Sequence, residues 1–254
     1  MVDHDDSKPP SATGPGTSRE VGNGIASKRA AWSFAGEVPK NFSEHAIQSI
    51  PGYEDGHRLV CSLSEFFCIP NSTCYEIGSS NGQLIRKLAM ANDCKDNIKW
   101  IGIDNVPAMI DAARESCADL DNVEFCCEDI CAFEFNKCDF LVSYYLIQFV
   151  PPRERQLLID RIYNALKWGG AFVWFEKVRG PDARFQDILT QMYNEFKLEK
   201  GFTPDQIMAK TASLKSVLEP FSSQGNLDLL TRAGFKDVVP VYRNICFEGV
   251  LCIK

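Results

Sequence analysis

The fold of this chain is decided at one glycine-containing stretch, which reads Glu76-Ile77-Gly78-Ser79-Ser80-Asn81-Gly82. A short apolar run before it predicts a β-strand, and the apolar residues after it recur at helical spacing. Glycines let a backbone turn tightly and let a ligand approach it closely, while the first turn of a helix offers unpaired N–H groups. The stretch therefore predicts a strand, turn and helix built around a ligand, although turn formation alone would also explain its glycines.

The sequence after Thr73 alternates short apolar runs with helix-length amphipathic segments. This alternation is typical of a parallel sheet that is covered by helices on both faces. We predict an α/β fold with a Rossmann-like, doubly wound, seven-stranded sheet. The predicted strands are Cys74 to Ile77, Trp100 to Ile103, Val123 to Cys126, Phe140 to Ser143, Ala171 to Phe175, Val238 to Tyr242 and Ile245 to Ile253.

The rest of the chain divides into a tail, two short helices and an insertion. Residues 1–30 are rich in Ser, Pro, Gly and charge, which predicts a disordered tail ahead of a single domain at 31–254. Helices are predicted at Ser43 to Ser49 and Asp55 to Phe67. Residues 181–220 carry two helical patterns and no strand, so we expect a helical insertion before the last two strands. It would cover the carboxyl edge of the sheet as a lid, form a homodimer contact, or pack on the chain's own sheet.

Composition restricts the function classes that the chain can serve. The 254 residues carry a formal net charge of −7, which argues against a broad nucleic-acid surface. We expect no membrane span and a cytoplasmic location, because no apolar run reaches the required length and the first residues do not resemble a signal peptide. The eleven cysteines are then expected to be reduced, and their spacing does not favour a metal site.

Acidic side chains follow the second and third predicted strands. Asp104-Asn105 comes about 20 residues after the glycine stretch, where an acidic group can accept both hydroxyls of a ribose. Glu128-Asp129-Ile130 follows the third strand and offers an acceptor to an adenine amino group. Met109 has the shape to lie against an adenine ring, although a lone Met is more often part of a core. Together these strand ends predict a nucleoside site.

The glycine stretch also discriminates between nucleoside cofactors. A dinucleotide site requires a second glycine where this chain has Ser79. A P-loop would end in Gly-Lys-Ser/Thr, whereas this chain reads Asn81-Gly82-Gln83. An uncharged nucleoside with a short amino-acid arm therefore fits the stretch better than a pyrophosphate.

In the order of these segments, the chain resembles the class I S-adenosylmethionine-dependent methyltransferases, and within them the carboxy-S-adenosylmethionine synthase family. The resemblance runs from Trp32 to the carboxyl terminus, and includes Pro51-Gly52-Tyr53, Gln148-Phe149 and Phe175-Glu176-Lys177. It implies S-adenosylmethionine as cofactor, with Tyr53 at its amino-acid end, Asp104 at its ribose, and Asp129 with Ile130 at its adenine. The full set of expected cofactor residues is Tyr53, Glu76, Gly78, Ser79, Ser80, Gly82, Asp104, Asn105, Met109, Glu128, Asp129, Ile130 and Gln148.

Two departures from the family pattern bear on the reaction. Thr211 stands where the family has an arginine that holds the extra carboxylate of the carboxylated cofactor, and Tyr144 replaces an asparagine. A threonine cannot form a bidentate, charge-assisted pair with a carboxylate, so this anchor is lost unless Lys210 substitutes. We therefore expect methyl transfer to a small-molecule acceptor. The alternatives are a prephenate-dependent carboxy-S-adenosylmethionine synthase serving tRNA wobble-uridine modification, or a nonenzymatic binding protein.

Methyl transfer from a sulfonium is an in-line displacement, so an enzyme contributes mainly by aligning the reactants and excluding water. An acceptor that must lose a proton would need a general base near the strand ends or the entrance. Gln148 is expected to support the cofactor or the acceptor, and the two tyrosines could equally serve as aromatic packing. The candidate bases are Tyr144, Tyr145, Glu176 and His57.

Overall fold

A computed structural model describes the backbone of residues 17–34 and 38–254, and the side chains of 17–34 and 41–254. The strands are β1 (Arg19–Glu20), β2 (Ala26–Ser27), β3 (Thr73–Ile77), β4 (Lys99–Asp104), β5 (Val123–Cys127), β6 (Cys138–Tyr144), β7 (Leu166–Lys177), β8 (Asp237–Asn244) and β9 (Phe247–Ile253). The helices are α1 (Val38–Ser49), α2 (Tyr53–Phe67), α3 (Gln83–Ala91), α4 (Pro107–Ser116), α5 (Pro152–Ala165), α6 (Ala183–Glu199), α7 (Pro204–Ser213) and α8 (Ser223–Ala233).

The main sheet has seven strands in the order β5-β4-β3-β6-β7-β9-β8. The first five in this order are parallel to their neighbours, and β9 inserts antiparallel between β7 and β8. The chain enters at β3, runs outward to β5, then crosses back to β6. This reversal separates the loops after β3 and β6 and opens a crevice at the carboxyl ends of these strands. The predicted α/β, doubly wound, seven-stranded fold is confirmed.

Two apolar layers cover the two faces of this sheet, because successive side chains of a strand point to opposite faces. On β3, Cys74 lies in one layer, whereas Tyr75 and Ile77 lie in the other. The first layer includes α2 and α3, and the second includes α5 and α8. With both faces covered, the crevice at the strand ends is where a ligand can reach the parallel strands.

The amino-terminal segment corrects the prediction of a disordered tail for residues 17–30. β1 and β2 pair as a short hairpin, and Val21 and Ile25 are buried against Trp32, Met109 and Ala209. The prediction failed because local composition does not reveal that an apolar site between α4 and α7 receives these two side chains. Residues 1–16 of the predicted tail lie outside the described residues.

The helical insertion consists of α6 and α7, at the predicted place before the last two strands. On α6, Leu189 and Tyr193 pack partly against the first core layer. Phe185, Ile188 and Met192 are about half exposed. The insertion therefore packs on its own chain with only part of its apolar surface.

The described part of the chain contains no helix long and apolar enough to cross a membrane. All eleven cysteines are described and all are free thiols. Within the same residues, no group of three or more His, Cys, Asp or Glu side chains is arranged to hold a metal ion.

Replacing Val21 by Ala tests whether the amino-terminal hairpin is part of the folded domain. The side chain is fully buried, so its truncation should lower the free energy of unfolding by about 2 kcal/mol in urea denaturation. The matched control is Val239→Ala on the outer strand β8, where the side chain is half exposed. There we expect a change of about 0.5 kcal/mol or less. Equal effects at both positions would contradict the packing of the hairpin.

Candidate functional site

A large cavity lies at the carboxyl edge of the parallel strands and has a volume of about 950 Å³. This is near the upper end of the range of roughly 300–1,000 Å³ for small-molecule sites. Its floor is formed by the ends of β3, β4, β5 and β6, and its sides by α1, α6 and α7. Trp32 and Phe34 of the amino-terminal segment also line it. Residues of the insertion therefore lie beside the strand ends.

The glycine turn after β3 is tightly built against its neighbours. The N–H groups of Gly78 and Ser79 both donate to the Ile103 carbonyl, at 2.7 and 3.0 Å. Gly78 has a φ of +74°, and a Cβ on it would lie 2.8 Å from the Cβ of Leu146. Gly82 has a φ of +79° and precedes α3; it does not line the cavity. Gly82 therefore shapes the turn, while the residues before it face the cavity.

Asp104 joins the end of β4 to this turn. Its Oδ2 accepts the Ser80 N–H at 3.0 Å, and its Oδ1 accepts the Val106 N–H at 3.0 Å. Burial raises the pKa of its carboxyl group, and the backbone N–H donors oppose that shift. Each carboxylate oxygen retains acceptor capacity toward the cavity. The geometry therefore fits the expected contact with ribose hydroxyls.

Four residues of the cavity wall carry a buried polar atom without a hydrogen-bond partner among the described residues, namely Trp32 Nε1, Glu76 Oε2, Ser79 Oγ and the Tyr145 hydroxyl. Glu76 and Ser79 belong to the glycine stretch after β3. Burial raises the pKa of the Glu76 carboxyl group well above its usual range. Buried polar groups are almost always hydrogen-bonded in native proteins, so these atoms are complementary to polar groups of a ligand. An ammonium group is one such polar group that can pair with the Glu76 carboxyl group.

The residues that the sequence analysis assigned to adenine follow the end of β5. Glu128 and Asp129 are exposed and line the cavity together with the buried Ile130. Asp129 Oδ1 accepts the Cys131 N–H at 2.9 Å, which fixes the turn. Met109 is buried, and it too lines the cavity. The acidic and apolar side chains that the sequence assigned to adenine are therefore brought to one side of the cavity.

Tyr53, Tyr144 and Tyr145 contact one another through their rings and form an aromatic wall of the cavity. Tyr144 donates its hydroxyl to the Tyr53 carbonyl at 2.6 Å, so this hydroxyl is engaged in structure. The Tyr145 hydroxyl is buried without a partner among the described residues, and Tyr145 lines the cavity. Burial raises the pKa of both Tyr144 and Tyr145 above their usual range. At neutral pH both therefore act as hydrogen-bond donors and are poor general bases.

The Gln148 side chain connects two segments of the cavity wall through hydrogen bonds to their backbone. Its Oε1 accepts the Lys177 N–H at 3.0 Å, and its Nε2 donates to the Tyr145 carbonyl at 3.0 Å. Gln148 is buried and lines the cavity. It therefore positions two wall residues that flank the site.

Two of the candidate general bases, Glu176 and His57, do not line this cavity. Glu176 shares a face of β7 with Trp174 and lines a separate cavity of about 200 Å³. Burial raises its pKa to about 8. Its position near a strand end was predicted correctly, but the alternation of side chains turns it to the opposite face from Lys177.

His57 is buried between Tyr53 and Tyr144, at ring-centroid distances of 4.6 and 4.7 Å. Its Nδ1 lies 3.2 Å from Lys87 Nζ. Burial, together with the Lys87 charge, lowers the pKa of His57 to about 3. It is a neutral packing residue that supports the aromatic wall.

Three lysines in the cavity wall were not identified as site residues from the sequence. Lys177 and Lys197 place their Nζ atoms 4.2 and 4.3 Å from the centre of the Tyr193 ring. Lys210 is also buried in the wall. Among the described residues, none of the three forms an ion pair with a carboxylate. Lysines on an amphipathic helix usually mark its solvated face, so the sequence alone does not indicate that Lys197 of α6 lines a cavity.

The Asp104→Ala variant tests the cofactor site. Loss of the carboxylate removes acceptors for the ribose and frees the Ser80 N–H, so affinity for S-adenosylmethionine should fall by about tenfold to a hundredfold in calorimetry. Asp237→Ala removes an equal charge from an exposed position and should bind normally. Unchanged affinity in Asp104→Ala would overturn the site.

The depressed pKa of His57 predicts a pH effect on stability. The unfolded chain takes up a proton below the ordinary pKa of 6.5, whereas the folded chain resists protonation down to about 3. The free energy of unfolding should therefore decrease as pH falls through this window. In thermal unfolding between about pH 7 and pH 5, His57→Gln should show a smaller decrease in Tm than the parent chain. An identical pH dependence in both would contradict a buried, neutral His57.

Comparisons of the sequence with known proteins show the family of this chain. A family profile described as a methyltransferase domain matches residues 75–170. A carboxy-S-adenosyl-L-methionine synthase from Staphylococcus epidermidis is 36% identical over 224 residues, covering 88% of this chain and 97% of that protein. A protein of the same name from Campylobacter lari is 30% identical, covering 88% of this chain and 94% of its own length.

Solved structures share the fold at low sequence identity. Human N-acetylserotonin methyltransferase in complex with S-adenosylmethionine has a TM-score of 0.58 at 17% identity, covering 85% of this chain. This chain spans about half of that protein, with 55% covered. A putative methyltransferase of Haloferax volcanii, solved with the Trm112 activator, has a TM-score of 0.59 at 16% identity and is covered over 99% of its length. The chain uses S-adenosylmethionine, has the class I methyltransferase fold and belongs to the carboxy-S-adenosyl-L-methionine synthase family.

Proposed function

We propose that this enzyme transfers the methyl group of S-adenosylmethionine to a small-molecule acceptor that carries a negative charge. The observation that carries the proposal is the division of charge within one large cavity. Acidic residues at the strand ends line one side, and Lys177, Lys197 and Lys210 line another. A volume of about 950 Å³ leaves room for a second molecule beside the cofactor.

S-adenosylmethionine supplies an activated methyl group on a positively charged sulfur. In this proposal Asp104 binds the ribose, which is supported by its position at the glycine turn. Glu76 binds the amino-acid arm, which is supported by its unpartnered carboxyl oxygen. Gln148 fixes the backbone of Tyr145 and Lys177, so both residues keep a set position in the wall. In this proposal these residues orient the reactants and the insertion shields them from water, which is most of what an in-line displacement requires.

The lysine side of the cavity favours an anionic acceptor. Burial and the proximity of other lysines lower the pKa of Lys197 to about 8 and that of Lys210 well below its usual range. Like charges gathered in a poorly solvated wall destabilise one another. A bound carboxylate or other anion relieves this repulsion and accepts hydrogen bonds from the ammonium groups. An uncharged acceptor would leave the repulsion in place.

Synthesis of carboxy-S-adenosylmethionine is the second candidate. It is favoured by the relatives of that name and by Lys210, which offers a charge directly beside Thr211. Methyl transfer remains our preferred reaction because an ammonium group is a point charge and cannot reproduce the planar, bidentate pairing of an arginine. In addition, the Tyr144 hydroxyl is already committed to the Tyr53 carbonyl.

The homodimer and the cytoplasmic location belong to the same proposal. Phe185, Ile188 and Met192 present an apolar strip on α6, next to the cavity, which a second copy of the chain would cover. Eleven free thiols are compatible with a reducing compartment.

Incubation with S-adenosylmethionine and prephenate, followed by mass spectrometry, distinguishes the two reactions. We expect no carboxylated S-adenosylmethionine, whereas a panel of small carboxylic acids should include an acceptor whose methylation yields S-adenosylhomocysteine. An Asp104→Ala control should lower turnover at limiting S-adenosylmethionine in either case. Appearance of the carboxylated cofactor would replace our first candidate with the second.

A further inference from the structure

Lys210 lies at the inner end of a hydrogen-bonded chain that begins at the protein surface. Its Nζ contacts Nε2 of His45 and also donates to Ser49 Oγ at 2.7 Å. His45 Nδ1 lies 2.8 Å from Asn23 Oδ1, and Asn23 belongs to the amino-terminal hairpin. The chain of contacts therefore connects the hairpin to the cavity through α1.

In this series of hydrogen bonds, the donor and the acceptor of each bond follow from the residue at its outer end. Glu44 can only accept, so Gln48 donates its Nε2 to Glu44 Oε1 at 3.3 Å. Gln48 Oε1 then accepts from Asn23 Nδ2 at 3.1 Å, which leaves Asn23 Oδ1 to accept from His45 Nδ1. His45 is consequently protonated on Nδ1, and its Nε2 accepts from Lys210.

His45 stays neutral in this arrangement. Burial, with the Lys210 charge, lowers its pKa to about 3. Its ring stacks on Trp32 at a centroid distance of 5.6 Å, which fixes its plane. A neutral, oriented imidazole is a directional acceptor and does not compete with Lys210 for the charge.

These contacts determine what Lys210 can do in the cavity. An ammonium group has three N–H donors. Two of them are used by His45 and Ser49, and the third is available to the cavity that Lys210 lines. Lys197 and Lys177 are the charged groups that act on it, and both repel it. Within the described residues no carboxylate pairs with Lys210, so its remaining donor lacks a strong acceptor.

We propose that Lys210 holds a carboxylate of the second substrate, and that Asn23 and His45 are positioning residues that aim its free N–H. The inference rests on the proposed function, since it assigns the acceptor's anion to one side chain of the same site. It also gives the amino-terminal hairpin a role in substrate selection. Lys177 and Lys197 add positive charge, but their ammonium groups lie over the Tyr193 ring.

Calorimetric titration of malonate, a small dicarboxylate, into the full chain loaded with S-adenosylhomocysteine tests this inference. The parent chain should bind malonate, and Lys210→Met should bind it at least about tenfold more weakly. Lys200→Met, which removes an exposed lysine just after α6, is the matched control and should bind malonate normally. Binding of S-adenosylhomocysteine, measured first for each variant, shows that the variant is folded.

Protonation supplies a readout that a purely structural role would not change. A bound carboxylate raises the pKa of Lys210, which is held low by burial and by Lys197 and Lys177 while His45 stays neutral. Malonate binding measured over a pH series should therefore take up protons in the window between the lowered pKa of free Lys210 and its raised pKa in the complex, seen as heat that depends on the ionisation enthalpy of the buffer. The Lys210→Met variant should lose this dependence.

The role of Asn23 is tested by two variants at one position. Asn23 has a φ of +57°, so Asn23→Gly removes the side chain without backbone strain. It should weaken malonate binding by about threefold to tenfold, since one positioning hydrogen bond is lost. Asn23→Asp keeps an acceptor for His45 Nδ1 and should retain more affinity than Asn23→Gly.

The outcomes separate this inference from the proposed function. Malonate binding that is absent from the parent chain, or that is equally strong in Lys210→Met, overturns the anion site. Failure of the parent chain to bind S-adenosylhomocysteine would instead overturn the proposed function. Equal affinities in the two Asn23 variants would overturn the positioning role of the hairpin.

Discussion

The site depends on the two hydrogen bonds that the Asp104 carboxylate accepts from backbone N–H groups. One of its oxygens holds the glycine turn through Ser80, and the other holds the start of α4 through Val106. The turn and the helix belong to different strand–helix units, so a single side chain fixes their separation. A nucleoside placed between them meets donors and acceptors that are already in position, and its binding requires little reorganisation of the protein.

Charge is unevenly distributed around the cavity that this arrangement opens. The acidic side is built from strand ends of the parallel sheet, and the basic side from β7 and the inserted helices. In our proposal, cofactor binding depends on the geometry of the doubly wound sheet, whereas selection of the second substrate depends on the segments added to it. Different substrates can be accommodated by changing the insertion while the sheet remains the same.

The parts predicted well from sequence are those with local periodicity. The seven strands and the acidic residues after β4 and β5 follow from alternating apolar runs and from their spacing. Glu176 was wrongly grouped with the residues of the main cavity. The face of the sheet to which a side chain points depends on the alternation of side chains along the strand, and a position near the strand end does not reveal that face. The sequence analysis missed the three lysines in the cavity wall and the hairpin that carries Val21. Both depend on contacts between residues that are far apart in the chain. No local pattern encodes such contacts.

The stacking of Trp32 on His45 has an optical consequence. Trp32 borders the cavity, whereas Trp100 and Trp174 are buried in the core layers and Trp168 is exposed at the start of β7. Indole emission responds to the polarity and charge around the ring. Trp32 is therefore a native fluorophore for occupancy of the acceptor side, and it allows ligand entry to be followed in real time without a label.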